Sequence, residues 1–270
     1  MKHTNNPLIS IITPSYNSAA YIEQTILSVI NQTYKNVEYI IIDGGSTDGT
    51  LEIIRRYSSG IAHWRSEPDD GMYQAINKGM QYSTGDIIAY LNSDDLYYPN
   101  SLEQVVEIFL SNPSVDLVYG GLDFIDDAGR KLYSIEYPDF NLNYFPLASG
   151  AMIGQPASFW RSRLIRQIGL FDESLKMAAD FDFFIRAGMN GRPKKTLDVL
   201  AAFRLHSSSL TITQAKRGKD EVSILHKKYI HGKSPAIIVI ARLLYSILFK
   251  VINYKAIMRR VKNAFKDALQ

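Results

Sequence analysis

An α/β fold with a mostly parallel central sheet is predicted for this 270-residue chain by three observations. Short apolar, β-branched runs alternate with segments of helical spacing; the loops after those runs are acidic and rich in turn residues; and the length suits one catalytic-size domain plus an appendage. Strand, helix and strand in succession imply right-handed crossovers and therefore parallel pairing. In an open sheet of this kind the ligand crevice lies at the carboxyl ends of the strands, so loops distant in sequence meet there.

Residues 8–13 (LISIIT) read as a buried strand ended by Pro14, and 19–30 has helical spacing. Residues 37–43 (VEYIIID) form a second strand, closed by Gly44-Gly45-Ser46-Thr47-Asp48-Gly49, with a helix over 50–57 behind it. A short strand over 61–66, a helix over 71–82 and a buried strand over 86–91 (DIIAYL) follow, the last running into Asn92-Ser93-Asp94-Asp95. The alternation continues with a helix at 101–111 and a strand at 116–120, whereas 133–152 has no clear period. Helices are expected at 162–168 and 180–189, the second starting on a carboxylate, with a turn at Gly169-Leu170-Phe171-Asp172 between them.

The 46% hydrophobic and 21% charged composition is that of a globular protein, and it excludes a disordered chain. Cysteine is absent, which excludes disulfides and zinc–thiolate sites; a metal must sit on oxygen or imidazole. The residues before the first apolar run are too few for a signal peptide, so the bulk of the chain is expected in the cytoplasm. The net charge of +3 is unevenly spread: residues 216–270 hold 13 Lys+Arg against 3 Asp+Glu, and residues 1–215 hold 17 against 24.

Within that basic tail, 235–252 is apolar apart from Arg242, Ser246 and Lys250, about a minimal membrane span in length. Arg242 near its centre and Lys250 near its end argue against full crossing. Beyond it, Ile257, Val261, Ala264, Phe265 and Ala268 recur at helical spacing opposite Lys255, Arg259, Lys262 and Lys266, the pattern of a basic amphipathic helix lying on an anionic leaflet. Packing against the domain or a partner chain is the alternative. Nucleic acid is not an expected partner, because the charges are interleaved with aliphatics and present no stacking surface.

Several residues carry candidate chemistry. Asp43, followed by two glycines, can accept hydrogen bonds from an imide or amine edge, or simply cap a turn. Asn92, Ser93, Asp94 and Asp95 offer hard oxygen ligands suited to Mg²⁺ or Mn²⁺ bridging two phosphates, or form a solvated acidic turn. Asp180 and Asp182 stand among phenylalanines at a helix start, where only one can face a cleft; partly apolar surroundings raise a carboxyl pKa and make it a better base. Capping of the helix by Asp180 is compatible with that role. Arg204 and His206 can meet phosphate or metal, and Gln155, Trp160 and Arg161 can line an acceptor pocket or pack in the core.

The ordered set Thr13-Pro14-Ser15-Tyr16-Asn17, Asp43 to Thr50, Ser66-Glu67-Pro68-Asp69, Asn77-Lys78-Gly79, Leu91 to Asp95 and Gly169 to Glu173 resembles glycosyltransferase family 2, most of all the bacterial group that builds O-antigen and other surface polysaccharides. The resemblance implies a GT-A, Rossmann-like nucleotide-binding fold, a nucleoside-diphosphate sugar donor, a divalent metal and inversion at the anomeric carbon. By position, Thr13 to Asn17 would cradle the nucleotide, Asp43 would read the base (uracil is the commonest case) and Asp48 would support that loop. Gly44, Ser46, Asp69, Asn77, Lys78, Asn92 and Ser93 complete the implied donor site. Asp94 matches the metal-binding aspartate, with Asp95 beside it and His206 as a further candidate, and Asp180 matches the base. Asn92 stands in the first place of what is often an Asp-x-Asp motif, Ala179 where many members have Glu, and Gln74 where Asp is frequent.

On this basis residues 1–232 are expected to form the transferase domain, 1–120 binding the donor and 121–232 the acceptor, with 233–270 as membrane-associating helices. The acceptor is expected to be a glycan, in keeping with membrane attachment one carried on a polyprenyl diphosphate, at the inner face of the bacterial plasma membrane. A homo-oligomer is compatible with the sequence. A non-catalytic sugar-nucleotide or polysaccharide-binding protein on the same fold is the second reading, and within enzymes a nucleotidyltransferase, which would release pyrophosphate, is the alternative.

Overall fold

The computed structural model describes residues 6–142, 153–230, 232 and 234–258. In chain order its elements are β1 (Ile9–Ser15), α1 (Ile22–Ile30), β2 (Val37–Asp43), α2 (Thr50–Arg56), β3 (His63–Ser66), α3 (Met72–Tyr82), β4 (Ile87–Tyr90), β5 (Leu96–Tyr97) and α4 (Ser101–Ser111). Then come β6 (Leu117–Ile125), β7 (Lys131–Ile135), β8 (Ser158–Arg161), α5 (Ser162–Ile168), α6 (Ala179–Asn190), β9 (Pro193–Arg204), α7 (Leu210–Thr213), α8 (Ala215–Ile230) and α9 (Pro235–Ile252). The strands form one sheet in the order β3-β2-β1-β4-β8-β6-β9-β5, with β7 on the side of β6.

The four strands β3-β2-β1-β4 are all parallel, as the strand–helix alternation requires. Their isoleucine-rich runs are buried because helices cover the sheet. Helix α3 turns Tyr73, Ile76, Asn77 and Met80 inward at 3.6-residue spacing, and it lies so close that a Cβ on Gly79 would stand 2.4 Å from Ile12 Cγ2. Further on the sheet becomes mixed. β8 enters antiparallel between β4 and β6, while β6 and β9 pair in parallel.

Three sequence expectations change in the structure. Pro14 continues β1 instead of ending it: the β1–β4 ladder stops at Ile12, so the side toward which a Pro14 N–H would point carries no partner strand. β6 runs to Ile125, well past residue 120; Gly120 and Gly121 are bulge positions in it, the first so close to β9 that an added Cβ would be 2.7 Å from the Asp198 carbonyl oxygen. Finally, β9 and α8 were not expected, because both are charged along their exposed faces.

Helix α9 packs one stripe on the body through Ala241 and Tyr245, and Asn253 just after it exchanges two 2.9 Å hydrogen bonds with the backbone of Glu136. The amphipathic segment expected beyond it lies outside the described residues from position 259 onward, as do 143–152 of the aperiodic stretch.

Candidate active site

The loops after β1, β2 and β4 meet at one end of the sheet and are laced to one another. Asn17, in the left-handed region (φ 47°), donates its N–H to Ser46 Oγ at 2.8 Å and accepts from the Thr47 N–H at 2.9 Å. Asp48 joins the same loops, accepting from Ala19 N–H at 3.0 Å and from the Thr50 hydroxyl at 2.6 Å. Burial opposes its charge, but these donors outweigh burial and hold it below the usual carboxylate range. Ser18 and Ser93 share a 2.7 Å hydroxyl contact that ties the β1 loop to the β4 loop.

Asp43 is fully buried, and its carboxylate is consumed by the turn it begins. It accepts from Gly45 N–H (3.0 Å), Ser46 N–H (2.8 Å), Ser66 Oγ (2.7 Å) and Ser46 Oγ (2.5 Å). Where a base-reading role was expected of Asp43, its carboxylate instead holds the turn together. The carboxylate beside that turn is Asp69, which lies so near Gly44 that a Cβ there would be 3.0 Å from its Oδ2. Burial raises the Asp69 pKa, opposed by the Gly71 N–H and Lys78. Lys78 itself pairs with Glu67 at 3.1 Å.

Thr13 faces inward to Tyr39, and Ser15 is buried in β1, whereas Tyr16 is 65% exposed at the mouth. Asn77 is a second correction. It is buried, with its amide spent on the Phe171 backbone in both directions and on Glu173 at 2.7 Å, so it fastens the turn that precedes α6.

After β4, Asp94 Oδ2 stands 2.9 Å from His206 Nε2, whose Nδ1 is 2.9 Å from Ser208 Oγ. Buried Asn92 Oδ1 has no hydrogen-bond partner. A carboxylate oxygen, an imidazole nitrogen and an unpartnered amide oxygen are a donor set that fits Mn²⁺ or Mg²⁺. Among the described residues no three His, Cys, Asp or Glu converge, so the remaining positions of such an ion fall to phosphate and water. Asp95 leaves the ligand set: it is buried, accepting from Arg204 N–H at 3.0 Å and from Asn92 at 3.4 Å. Burial and then the neighbouring charge of Asp94 push its pKa well up.

Of the two carboxylates in α6, only Asp180 faces the cleft. Asp182 is 1% exposed and is held by Tyr229 (2.6 Å), Arg186 (2.6 Å) and Lys228 (2.9 Å). Asp180 is half-buried in the first turn of the helix and accepts from its neighbour Phe181 N–H at 2.8 Å and from Tyr73 Oη at 3.2 Å. Burial lifts its pKa to about 6, against the pull of those donors. Ala178, not Asp180, occupies the cap position, without a side-chain cap bond. Buried Tyr90, at the end of β4, is pushed well above the usual phenol range by burial and then by Tyr73, Asp180 and Asp95, so both acidic clusters act on one side chain.

Tyr73, which sequence reasoning did not single out, stabilises the ionised form of Asp180. Tyr73→Phe is therefore expected to move the acid limb of the pH–rate profile upward by about 0.5–1 pH unit. An unmoved limb would refute the contact's role.

The expected acceptor residues separate. Gln155 sits beside the site, donating to Tyr90 O at 2.7 Å with its oxygen 3.4 Å from Asn92 Nδ2. Trp160 is fully buried among Tyr90, Phe171 and Phe183. Arg161 pairs with Ile87, at the opposite end of β4 from Asp94 because β8 runs antiparallel, and it donates to the Val115 and Phe109 carbonyls. Arg204 is also fully buried, bonded to the carbonyls of Asp94, Asp126 and Asp127 and to Gln24; it braces the Asp94 loop from behind. Neither arginine nor Trp160 lines an acceptor pocket.

The model of glycosyl transferase family 2 matches residues 10–168. An uncharacterized glycosyltransferase of Rickettsia typhi is 35% identical over 221 residues, which is 78% of this chain and 68% of that one. Among solved structures, Staphylococcus aureus TarS 1-349 in complex with UDP-GlcNAc superposes with a TM-score of 0.67 at 21% identity, covering 88% of this chain and 71% of that one. The mannosyltransferase PcManGT of Pyrobaculum calidifontis, in complex with GDP-Man and Mn²⁺, gives 0.64 at 21% identity over 96% and 75%. The family match spans more than half of the chain and the fold is the α/β GT-A type with C-terminal helices, so this protein belongs to glycosyltransferase family 2 and is a glycosyltransferase.

Proposed function

We propose that this chain is an inverting transferase that moves a sugar from a nucleoside-diphosphate donor, a UDP-sugar, to a hydroxyl of a lipid-linked glycan in bacterial O-antigen or other surface-polysaccharide assembly. The observation that carries the reading is Asp180, a half-buried carboxylate with a pKa near 6 that is bonded to Tyr73 and left out of the salt-bridge network around Asp182. A base of that strength is ionised at neutral pH yet accepts a proton readily. Asp180 takes the proton of the acceptor hydroxyl as that oxygen bonds to the anomeric carbon; the bond from carbon to the diphosphate oxygen breaks on the opposite face, and the diphosphate leaves with the electron pair. Positive charge grows on the sugar ring along the way, as in glycoside hydrolysis.

Asp94 and His206 would hold the divalent ion, and Asn92 Oδ1 of the same loop is a further oxygen without a hydrogen-bond partner. When bound, Mn²⁺ or Mg²⁺ supplies Lewis-acid neutralisation of the departing diphosphate. Exposed Tyr16 and half-buried Asp69 are the groups offered to the nucleotide base, the ring to stack and the carboxylate to accept. The donor complexes of TarS and the archaeal mannosyltransferase support this reading of the crevice.

The test is a panel of UDP-, GDP- and dTDP-sugars with Mn²⁺, scored for nucleoside-diphosphate release. Release from one UDP-sugar names the donor. Failure of every donor to bind the folded protein would overturn the assignment in favour of a non-catalytic role.

An anionic membrane surface is the proposed working place. Helix α9 is long and apolar enough to cross a membrane by length and composition, yet Ala241 and Tyr245 pack on the body, which favours a helix lying in the interface. Its outer face exposes Ile240, Leu243, Leu244, Ile247, Leu248 and Val251, while Lys216, Lys219 and Lys227 are exposed on α8. That combination complements acyl chains beneath anionic headgroups. The protein is expected to float with vesicles containing phosphatidylglycerol and to do so more weakly after Leu244→Glu with Ile247→Glu, donor hydrolysis being unchanged. Equal sedimentation without vesicles, with neutral ones and with anionic ones would overturn it.

A further inference from the structure

Helix α6 is preceded by Lys176-Met177-Ala178, and Ala178 at its cap position makes no side-chain cap bond. Backbone N–H groups in the lead-in to a helix need partners as well. They find one at a distance in sequence: Glu221, in the second turn of α8, accepts from Lys176 N–H at 3.0 Å on one carboxylate oxygen, and from Met177 N–H at 2.7 Å and Ala178 N–H at 3.0 Å on the other. Arg217 donates to the first oxygen at 3.0 Å. Burial opposes the charge on Glu221, but these four donors hold its pKa below the usual range. The carboxylate is buried and saturated.

A single stripe of α8 continues the contact. Leu225 is buried one turn on, His226 meets the Phe181 ring edge-on at 5.8 Å, and Lys228 and Tyr229 close on Asp182. The residues on either side of Asp180 are thus gripped from the same helix, at 176–178 by Glu221 and at 182 by Lys228 and Tyr229. On the opposite side Tyr73 reaches the Asp180 carboxylate from α3. All of α8 lies beyond the stretch matched by the family model.

We propose that Glu221 is a positioning residue for the reaction, and that α8 is the clamp that sets where the Asp180 carboxylate stands relative to the acceptor hydroxyl. The inference rests on the reading of Asp180 as the base. Glu221 touches neither donor nor acceptor; it acts through the backbone that carries Asp180. Displacing a reacting group by about 1 Å costs roughly 100-fold in rate, so loss of the clamp acts on the chemical step and leaves the donor crevice, built on the loops after β1 to β4, as it was.

The experiment uses the full chain, Mn²⁺ and a UDP-sugar panel, with UDP release followed for wild type, Glu221→Ala and Glu221→Gln. Glu221→Ala is expected to lower kcat by about 10- to 100-fold with KM for the donor within about twofold. Glu221→Gln keeps one accepting oxygen and is expected to fall between Ala and wild type. If Glu221→Ala does not fold, as read by circular dichroism, the glutamine variant alone decides by the same split. Unchanged kcat in the folded variants, or kcat and KM changing together in step with lost folded protein, would overturn the proposal. A wild type inactive on every donor would overturn the transferase reading itself, an outcome distinct from an active wild type matched by its Glu221 variants.

Discussion

Asp180→Asn is expected to abolish sugar transfer, by about 10²–10⁴-fold in kcat, while UDP binding stays within about twofold of wild type. The asymmetry follows from where Asp180 sits. It bonds to Tyr73 and Phe181 on the α3–α6 side of the crevice, whereas the groups proposed to meet the nucleotide stand on the loops after β1 and β3. Asparagine preserves volume and can still accept from Tyr73, but it cannot take the proton of the acceptor. Calorimetric titration with UDP beside a transfer assay separates the two effects. Loss of binding together with transfer would show that Asp180 belongs to the donor pocket and would remove it as the base.

The same substitution is expected to raise stability, and the sign can be worked out. Burial lifts the Asp180 carboxyl from 3.8 to about 6 in the folded protein. The native state therefore binds the proton more tightly than the unfolded chain, so stability falls as pH rises from about 4 to about 6 and stays lowered above that. The deficit at neutral pH is at most about 3 kcal/mol, less whatever solvent reaches the half-buried group. Asp180→Asn lacks the ionised form and is expected to melt higher than wild type at pH 7.5, with the difference closing near pH 4. Identical melting temperatures at pH 7.5 would mean that the carboxylate is solvated and unperturbed. A proposed base that destabilises its own fold is a usual form of stability–activity conflict. Wild-type activity is correspondingly expected to fall below pH 6, as Asp180 takes up its proton.

The sequence was most legible where local pattern and tertiary role coincide. β2 over 37–43, α4 over 101–111, α5 over 162–168 and α9 over 235–252 have the predicted bounds because their apolar spacing is the spacing of their buried faces. Legibility failed where a side chain's partner is remote. Asp180 and Asp182 look alike in sequence; Arg186 one turn on, with Lys228 and Tyr229 46 and 47 residues on, makes Asp182 structural. Trp160 and Arg161 looked like pocket residues, and their fate depended on β8 running antiparallel beside β4, a topological fact with no local signal. Asp43 and Asn77 stand at motif positions, yet both spend their polar atoms on the loops that shape the crevice. Glu221 had no local signal, because the N–H groups it holds, those of Lys176, Met177 and Ala178 just ahead of α6, lie 45, 44 and 43 residues away.

Asp94→Ala is expected to remove the dependence on Mn²⁺ along with most of the activity. Asp94 is the carboxylate of the β4 loop whose side chain reaches the crevice, 26% exposed against a buried Asp95, and it meets His206 at 2.9 Å. The loop cannot easily supply a substitute. Asp95 is tied to the Arg204 backbone, and Asn92 carries no charge. Arg204 holds the Asp94 carbonyl at 2.9 Å, so the backbone should keep its place when the side chain is cut. What is lost is therefore charge and coordination, with the loop intact. Neutralising a departing diphosphate is worth several kcal/mol, which places the expected loss at roughly 10²–10⁴-fold in rate. UDP affinity, measured by calorimetry with Mn²⁺ and with EDTA, is expected to differ at least about tenfold in wild type and to be the same under both conditions in Asp94→Ala. His206→Ala should lie between the two, since imidazole is the second protein donor. An Asp94→Ala protein that still binds UDP more tightly with Mn²⁺ would move the metal away from the β4 loop, and with it the orientation of the donor relative to Asp180. Wild-type binding unaffected by EDTA would mean that the Asp94–His206 pair serves the fold, and that diphosphate departure is assisted by other groups of the crevice.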